Sequence, residues 1–138
     1  MQKTADLTHT LSDLYKLSSA AKIGYIKSGI SKLYLVGIKD AINLDYDTLG
    51  RILSVSRAKL ISKKPEEKFD QLTSERIMML ADVFSYGLVV FEDKDRLTAW
   101  LKRPNKALGD KSPIDMMDTL YGIQEVKNEL GRIEYGVY

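Results

Sequence analysis

The sequence predicts an all-α fold, and three observations support this class. Apolar residues recur at steps of three and four, the spacing of one helix face, along most of the chain. No Asn-Gly or Asp-Gly turn joins two alternating apolar runs, so the usual hairpin signals are absent. Residues that typically begin helices stand before several apolar segments, among them Asp45 or Asp47, Ser56 and Asp93. The 138 residues are enough for a substantial hydrophobic core.

The residue types that are rare or missing exclude several classes of chemistry. The chain has no cysteine and one histidine, His9, which removes disulfides, thiolate catalysis and metal sites built from several Cys or His. The longest apolar run, 83–91, is much shorter than the roughly 20 residues that span a bilayer. No secretory signal is visible. We therefore expect a cytoplasmic protein that binds no cofactor, metal or membrane.

Residues 1–28 predict an N-terminal helical extension. Its apolar side chains at helical spacing are Leu7, Leu11, Leu14 and Tyr15. Gly24 and Gly29 are expected to bracket a loop, and another helix is predicted over about residues 31–43. We expect the extension to supply a helix to a dimer.

Residues 29–70 predict a helix-turn-helix part. Two short helices are joined by Ser54-Val55, and Pro65 ends the second one. A glycine in a helix interior costs roughly 1 kcal/mol, so Gly50 indicates a close approach of the two helices. In the second helix, Leu60 and Ile61 are expected to face inward.

The charge distribution favours DNA as a partner of this part. The net charge of +2 hides a value of +4 for residues 1–70 and −2 for residues 71–138. Residues 51–64 hold five cations and no acid, a pattern typical of nucleic-acid binding. The predicted DNA-binding residues are Arg51, Ser56, Arg57, Lys59, Ser62, Lys63 and Lys64. The alternative is a helical hairpin inside a bundle, with a solvated basic face.

Residues 71–138 predict a small helical domain. A long helix is predicted from Thr73 or Ser74, and a shorter one that Asp93 begins and Arg103-Pro104 ends, with Trp100 in the core. The segment 112–115 has the cap, proline and acid of a helix start, and Gly122 is a candidate break in the helix that follows. The aromatic and Arg residues of the last seven positions suit a partner's pocket. The alternative is a tail that folds back on its own core.

Three blocks of sequence resemble a known family. They are Trp100-Leu101-Lys102-Arg103-Pro104-Asn105-Lys106-Ala107-Leu108-Gly109, Ser112-Pro113-Ile114-Asp115-Met116-Met117-Asp118-Thr119 and Gly131-Arg132-Ile133-Glu134-Tyr135-Gly136-Val137-Tyr138. They are similar to the toxin-binding domain of Xre/MbcA/ParS-type antitoxins, the partners of RES-domain toxins in bacterial type II toxin–antitoxin systems. Asp110 stands where a second glycine is common in that family.

The resemblance implies both a fold and a function. The family is all-helical, generally dimeric, and has an Xre-like helix-turn-helix part that binds operator DNA. RES toxins break down NAD, and the antitoxin's C-terminal segment enters their active site. Here the implied toxin-binding residues are Arg132, Glu134, Tyr135, Gly136, Val137 and Tyr138.

The function predicted from the sequence is therefore an antitoxin that neutralises a RES-domain toxin and represses its own operon. The alternative is a dimeric helix-turn-helix regulator whose C-terminal half only dimerises. An enzyme would need His9 or the acids Asp115 and Asp118 as catalysts. We set this aside because acids near a helix N-terminus are explained by the helix dipole.

Overall fold

The computed structural model describes residues 11–136, which form eight α-helices and two short 3-10 helices. No strand occurs within this range, so the predicted all-α class is confirmed. The α-helices are α1 (Leu11–Leu14), α2 (Ser19–Ser28), α3 (Lys32–Ala41), α4 (Tyr46–Leu53), α5 (Arg57–Ser62), α6 (Gln71–Phe91), α7 (Lys94–Lys102) and α8 (Leu120–Tyr135). The 3-10 helices are Lys106–Leu108 and Pro113–Met116.

Helix α6 lies at the centre of the fold. With 21 residues it is the longest described helix, and it packs against α1, α2, α4, α7 and α8. Its buried side chains include Ile77, Leu80, Ala81 and Phe84. The three segments distinguished in the sequence contribute to one hydrophobic cluster around it.

Side-chain caps explain where most helices begin. Of the two candidates Asp45 and Asp47, it is Asp45 that accepts a hydrogen bond from the Thr48 N–H. Ser56 accepts one from the Lys59 N–H, as predicted. Asp93 also begins α7 as predicted. Asp70 caps α6, which therefore starts at Gln71, slightly before the predicted start.

The linker after α5 returns along the start of α3. The Phe69 N–H donates to the Ile30 carbonyl at 2.8 Å, and the Lys32 N–H donates to the Glu67 carbonyl at 2.9 Å. Ser74 of α6 accepts a hydrogen bond from the Ile30 N–H. These bonds hold the extended linker between α3 and α6.

Two sequence predictions about glycines are wrong. Gly24 does not bracket a loop but lies inside α2, on an exposed face where an added Cβ would meet no atom within 4 Å. Gly122 does not break α8 but lies in its first turn, where a Cβ would come within 1.7 Å of the Met116 carbonyl oxygen. The helix start predicted at 112–115 is instead a 3-10 turn, and the break falls between Met116 and Leu120.

The connection between α4 and α5 is as tight as predicted. Ser54 adopts the left-handed conformation with φ of 59°, which turns the chain sharply. A Cβ on Gly50 would lie 2.6 Å from the Val55 carbonyl oxygen, so the turn packs directly on the glycine. Leu60 is fully buried as predicted, whereas Ile61 is 44% exposed and does not face inward.

Other residues are buried or strained in ways that the sequence only partly indicates. Trp100 is 8% exposed, which confirms its place in the core. Asp110 has φ of 64°, the backbone region that favours glycine.

Replacing Gly50 with alanine should lower the free energy of unfolding by about 1–3 kcal/mol, because the new methyl group overpacks the turn. Helix propensity alone would favour alanine by about 1 kcal/mol, so the sign of the change tests the close contact. Urea unfolding followed by circular dichroism measures it. Gly24→Ala is the matched control and should be neutral or stabilising. A gain in stability at both positions would contradict the packing described.

Candidate functional site

The C-terminal end of α8 has exposed polar and aromatic side chains, and the turns before it are packed on the core. Val126 and Leu130 are fully buried, while Glu134 and Tyr135 are exposed. Gly136 ends the helix with φ of 66°, and its N–H donates to the carbonyls of the last turn. Val137 and Tyr138, predicted toxin-binding residues, lie outside the described residues.

Arg132 is held by a buried carboxylate. Its Nε lies 2.8 Å from Glu129 Oε1, and the Glu129 side chain is 1% exposed. Because this carboxylate cannot turn toward water, it fixes the arginine stem against α8. The rest of the guanidinium stays accessible, since the Arg132 side chain is 40% exposed.

Glu134 accepts a hydrogen bond from a distant tyrosine. The Tyr86 hydroxyl of α6 donates to Glu134 Oε1 at 2.5 Å. Burial, and then the nearby Glu134 carboxylate, raise the pKa of Tyr86 above its ordinary value. The phenol therefore keeps its proton and remains a donor at physiological pH.

A groove of about 700 Å³ runs beside this helix end, between α8, α6 and the N-terminal helices. The ring of Tyr15 stacks on Tyr86, with centroids 5.8 Å apart and planes 5° from parallel. One turn earlier on α6, Asp82 pairs with Lys22 of α2 at 2.7 Å. The groove is lined by aromatic rings and by charged side chains of both signs.

The predicted DNA-binding residues lie on and around α5, but two of the arginines are paired. Arg57 Nε lies 3.2 Å from Asp47 Oδ1, and Arg51 Nη1 lies 3.0 Å from Asp115 Oδ1. Both ion pairs are largely exposed, so they are weak and a phosphate can compete with them. Exposed Lys59 is left without an ion pair among residues 11–136.

The remaining predicted DNA-binding residues have mixed surroundings. Ser56 and Ser62 make hydrogen bonds within α5, through its N-terminal cap and to the Lys59 carbonyl. The Lys63 ammonium lies 4.8 Å from the centre of the Phe69 ring. Lys64 is exposed. Six of the seven predicted residues thus lie within residues 56–64, on α5 or directly beside it, whereas Arg51 lies on α4 and pairs with Asp115.

Lys32 is a residue of this region that sequence reasoning missed. It is 8% exposed, and its ammonium donates to the Ile61 and Lys63 carbonyls at 2.9 and 2.8 Å. These carbonyls belong to the C-terminal end of α5, where a cation is favoured by the helix dipole. No local signal reveals the contact, because about 30 residues separate the partners.

Two arginines connect the α4–α5 region with the C-terminal part. Arg76 of α6 donates to the Ile52 carbonyl at 3.3 Å and to the Asp118 carbonyl at 2.7 Å. The Arg51–Asp115 pair spans the same boundary. The two candidate surfaces therefore share structural supports.

Residues 11–136 contain no group of three or more acidic, His or Cys side chains placed to hold a metal ion. No helix in this range is long and apolar enough to cross a bilayer.

The C-terminal part of the chain is similar to a known family of domains. Residues 87–136 match the family model described as the antitoxin Xre/MbcA/ParS C-terminal toxin-binding domain. This match confirms the resemblance carried by the three sequence blocks. It ends at Gly136, the residue that caps α8.

Curated relatives have related names. An "Antitoxin Xre" of Photorhabdus laumondii is 39% identical over 71 residues, which cover 51% of this chain and 48% of the relative. An "Antitoxin Xre" of Yersinia enterocolitica is 32% identical over 60% of this chain and 57% of its own length. The chain thus matches about half the length of these two relatives. A "Prs ADP-ribosylating antitoxin" of Sphingobium is 29% identical over 91% of this chain and 85% of its own.

A solved structure supports the fold. One chain of the crystal structure of the Mycobacterium tuberculosis MbcT–MbcA toxin–antitoxin complex matches with a TM-score of 0.56 and 21% identity. The match covers 75% of this chain and 92% of that chain. At this identity the likeness concerns the fold.

Replacing Lys32 with methionine should lower the free energy of unfolding by about 1.5–3 kcal/mol, the range for hydrogen bonds to charged groups. Methionine keeps the apolar stem but leaves the α5 carbonyls without their donor. Chemical denaturation provides the measurement. Lys16→Met, at an exposed lysine, is the control and should change stability by less than about 0.5 kcal/mol. Equal effects of the two substitutions would show that the buried cap contributes nothing.

Proposed function

We propose that this protein is an antitoxin that binds and neutralises a cognate RES-domain toxin by inserting its C-terminal segment into the toxin's active site. The observation that carries the proposal is the toxin-binding domain match over residues 87–136. The end of α8 supports it, because Arg132 and Tyr135 are accessible there while the preceding turns of the helix are packed on the core.

The inhibition needs no catalysis by this chain. A site that binds NAD must accept phosphates and aromatic rings, so it offers cations and flat apolar walls. The C-terminal segment, residues 132–138, offers the phenol rings of Tyr135 and Tyr138. These rings fit flat apolar walls, so the segment blocks such a pocket by filling it.

The proposal also includes binding of operator DNA, through which the protein represses its own operon in the bacterial cytoplasm. The support is the basic region around α5, where exposed Lys59 and Lys64 stand beside the weakly paired Arg57. In a homodimer, two α5 helices would contact half-sites about one DNA turn, or ~34 Å, apart.

The first test concerns the tail. Tyr135→Ala should weaken toxin binding at least about tenfold, because exposed aromatic residues dominate interface free energies. Tyr121→Ala is the matched control, since both tyrosines lie on α8 and are 76% and 80% exposed. Removal of Val137 and Tyr138 should abolish neutralisation and leave the helical circular dichroism spectrum unchanged.

Calorimetry with the purified toxin and growth rescue of toxin-expressing cells provide the two readouts. Full rescue by the truncated chain would contradict insertion of the tail. A chain that binds its operator but no toxin would favour the alternative, a stand-alone regulator.

The second test concerns DNA. Log K for DNA binding falls as log salt concentration rises. Arg57→Ala and Lys59→Ala should each make this negative slope shallower by about 0.9 per subunit for every phosphate that the side chain neutralises. Asp47→Asn should strengthen binding, because it frees Arg57 and removes a negative charge near the phosphates. Fluorescence anisotropy with a duplex from the protein's own promoter measures these slopes.

The control for DNA binding is Lys94→Ala, at an exposed lysine on α7. All these variants should retain toxin binding. Loss of toxin binding and DNA binding together in Arg57→Ala would contradict separate surfaces.

A further inference from the structure

The last turn of α8 packs on the core through partly buried Ile133, but the final two residues of the helix extend beyond that contact. Its terminal residues, Glu134 and Tyr135, lie beyond the last fully buried side chain, Leu130. Terminal turns of helices fray when tertiary contacts do not hold them. The hydrogen bond from the Tyr86 hydroxyl to Glu134, which joins residues 48 positions apart, supplies such a contact.

Tyr86 is in turn supported by the N-terminal helices. The Tyr15 ring stacks on it in parallel, although Tyr15 remains 48% exposed. Lys22 pairs with Asp82, which lies on the same face of α6 one turn earlier. Two contacts from residues 11–28 thus meet the face of α6 that holds the end of α8.

We propose that Tyr15, Tyr86 and Glu134 form a tether that positions the C-terminal segment for the toxin, with residues 11–28 acting as its support. The inference rests on the proposed function and changes the role of one residue. Glu134, which the family resemblance assigns to toxin contact, acts as an internal anchor of the helix end, and Tyr86 becomes a positioning residue.

The tether acts through preorganisation. A C-terminal segment that continues from an immobilised helix end has fewer accessible orientations, so toxin binding costs less conformational entropy. When the tether breaks, only a fraction of molecules present the tail correctly, and the apparent affinity falls by that fraction. We expect a reduction in affinity of about tenfold.

The distinguishing experiment compares Glu134→Gln with Glu134→Ala in the full chain. The glutamine carbonyl still accepts the Tyr86 hydroxyl but carries no charge. A tether predicts near-normal toxin affinity for Glu134→Gln and about a tenfold reduction for Glu134→Ala. A toxin contact through the carboxylate predicts that both variants fail alike, and that result would overturn the proposal.

Tyr86→Phe completes a double-mutant cycle. It keeps the stack with Tyr15 and removes only the hydroxyl, so it should also cost about tenfold in affinity. Combined with Glu134→Ala, it should cost nothing more, because the two changes remove one shared interaction. Additive effects would overturn the tether. Tyr121→Phe, which changes a tyrosine at the other end of α8, is the control.

A readout without toxin separates the tether from the proposed function. In the free protein, Tyr86→Phe and Tyr15→Ala should accelerate amide hydrogen exchange at residues 133–136 several-fold, with an unchanged melting temperature in Tyr86→Phe. Unchanged exchange would overturn the proposal. If exchange rises but the wild-type chain binds no RES-domain toxin, the proposed function fails, and the positioning role fails with it.

Discussion

The central helix α6 constrains the rest of this structure. It buries residues around most of its circumference, so it is stable only when other helices surround it. The N-terminal helices cover one side, and α4, α7 and α8 cover the others. The C-terminal surface is built on α8, which packs against this helix directly, whereas α5 is held through α4, which packs against both. Their positions therefore depend on one rigid element rather than on a flexible linker.

Arginines at the boundary of the two surfaces act in different ways. Arg76 donates to one carbonyl in the last turn of α4 and to another just before α8, neither of which has a partner within its own helix. It therefore fixes the end of α4 relative to the start of α8. The exposed pairs of Arg51 and Arg57 contribute little to stability. They do lower the local positive potential, so the formal charge of residues 51–64 overstates what a DNA phosphate would meet.

Features that depend on neighbouring residues were predictable from the sequence. The caps Asp45 and Ser56 act within three residues, and Gly50 meets a turn only five residues away. The buried Trp100 followed from its spacing in a short helix. Such features need no knowledge of tertiary structure, which is why most of the helices were placed correctly.

Features that depend on distant residues were not predictable. Lys32 reaches carbonyls about 30 positions away, and Tyr86 reaches Glu134 across 48. No periodicity encodes such pairs. Ile61 was expected inside, but the short α5 turns only one side toward the core, which Leu60 occupies. The identity of the tail residues came from the family resemblance, whereas their support came only from the structure.

The left-handed backbone at Ser54 and Asp110 has a consequence for how this sequence can change over time. Residues other than glycine cost of order 1–3 kcal/mol in this conformation. The chain retains this strain and is therefore less stable than its fold allows. Such strain persists because selection removes only variants whose stability falls below the level that function requires. A glycine at either turn would add stability that offsets damaging changes elsewhere. Lineages with such glycines would tolerate faster divergence of the residues that recognise toxin and DNA.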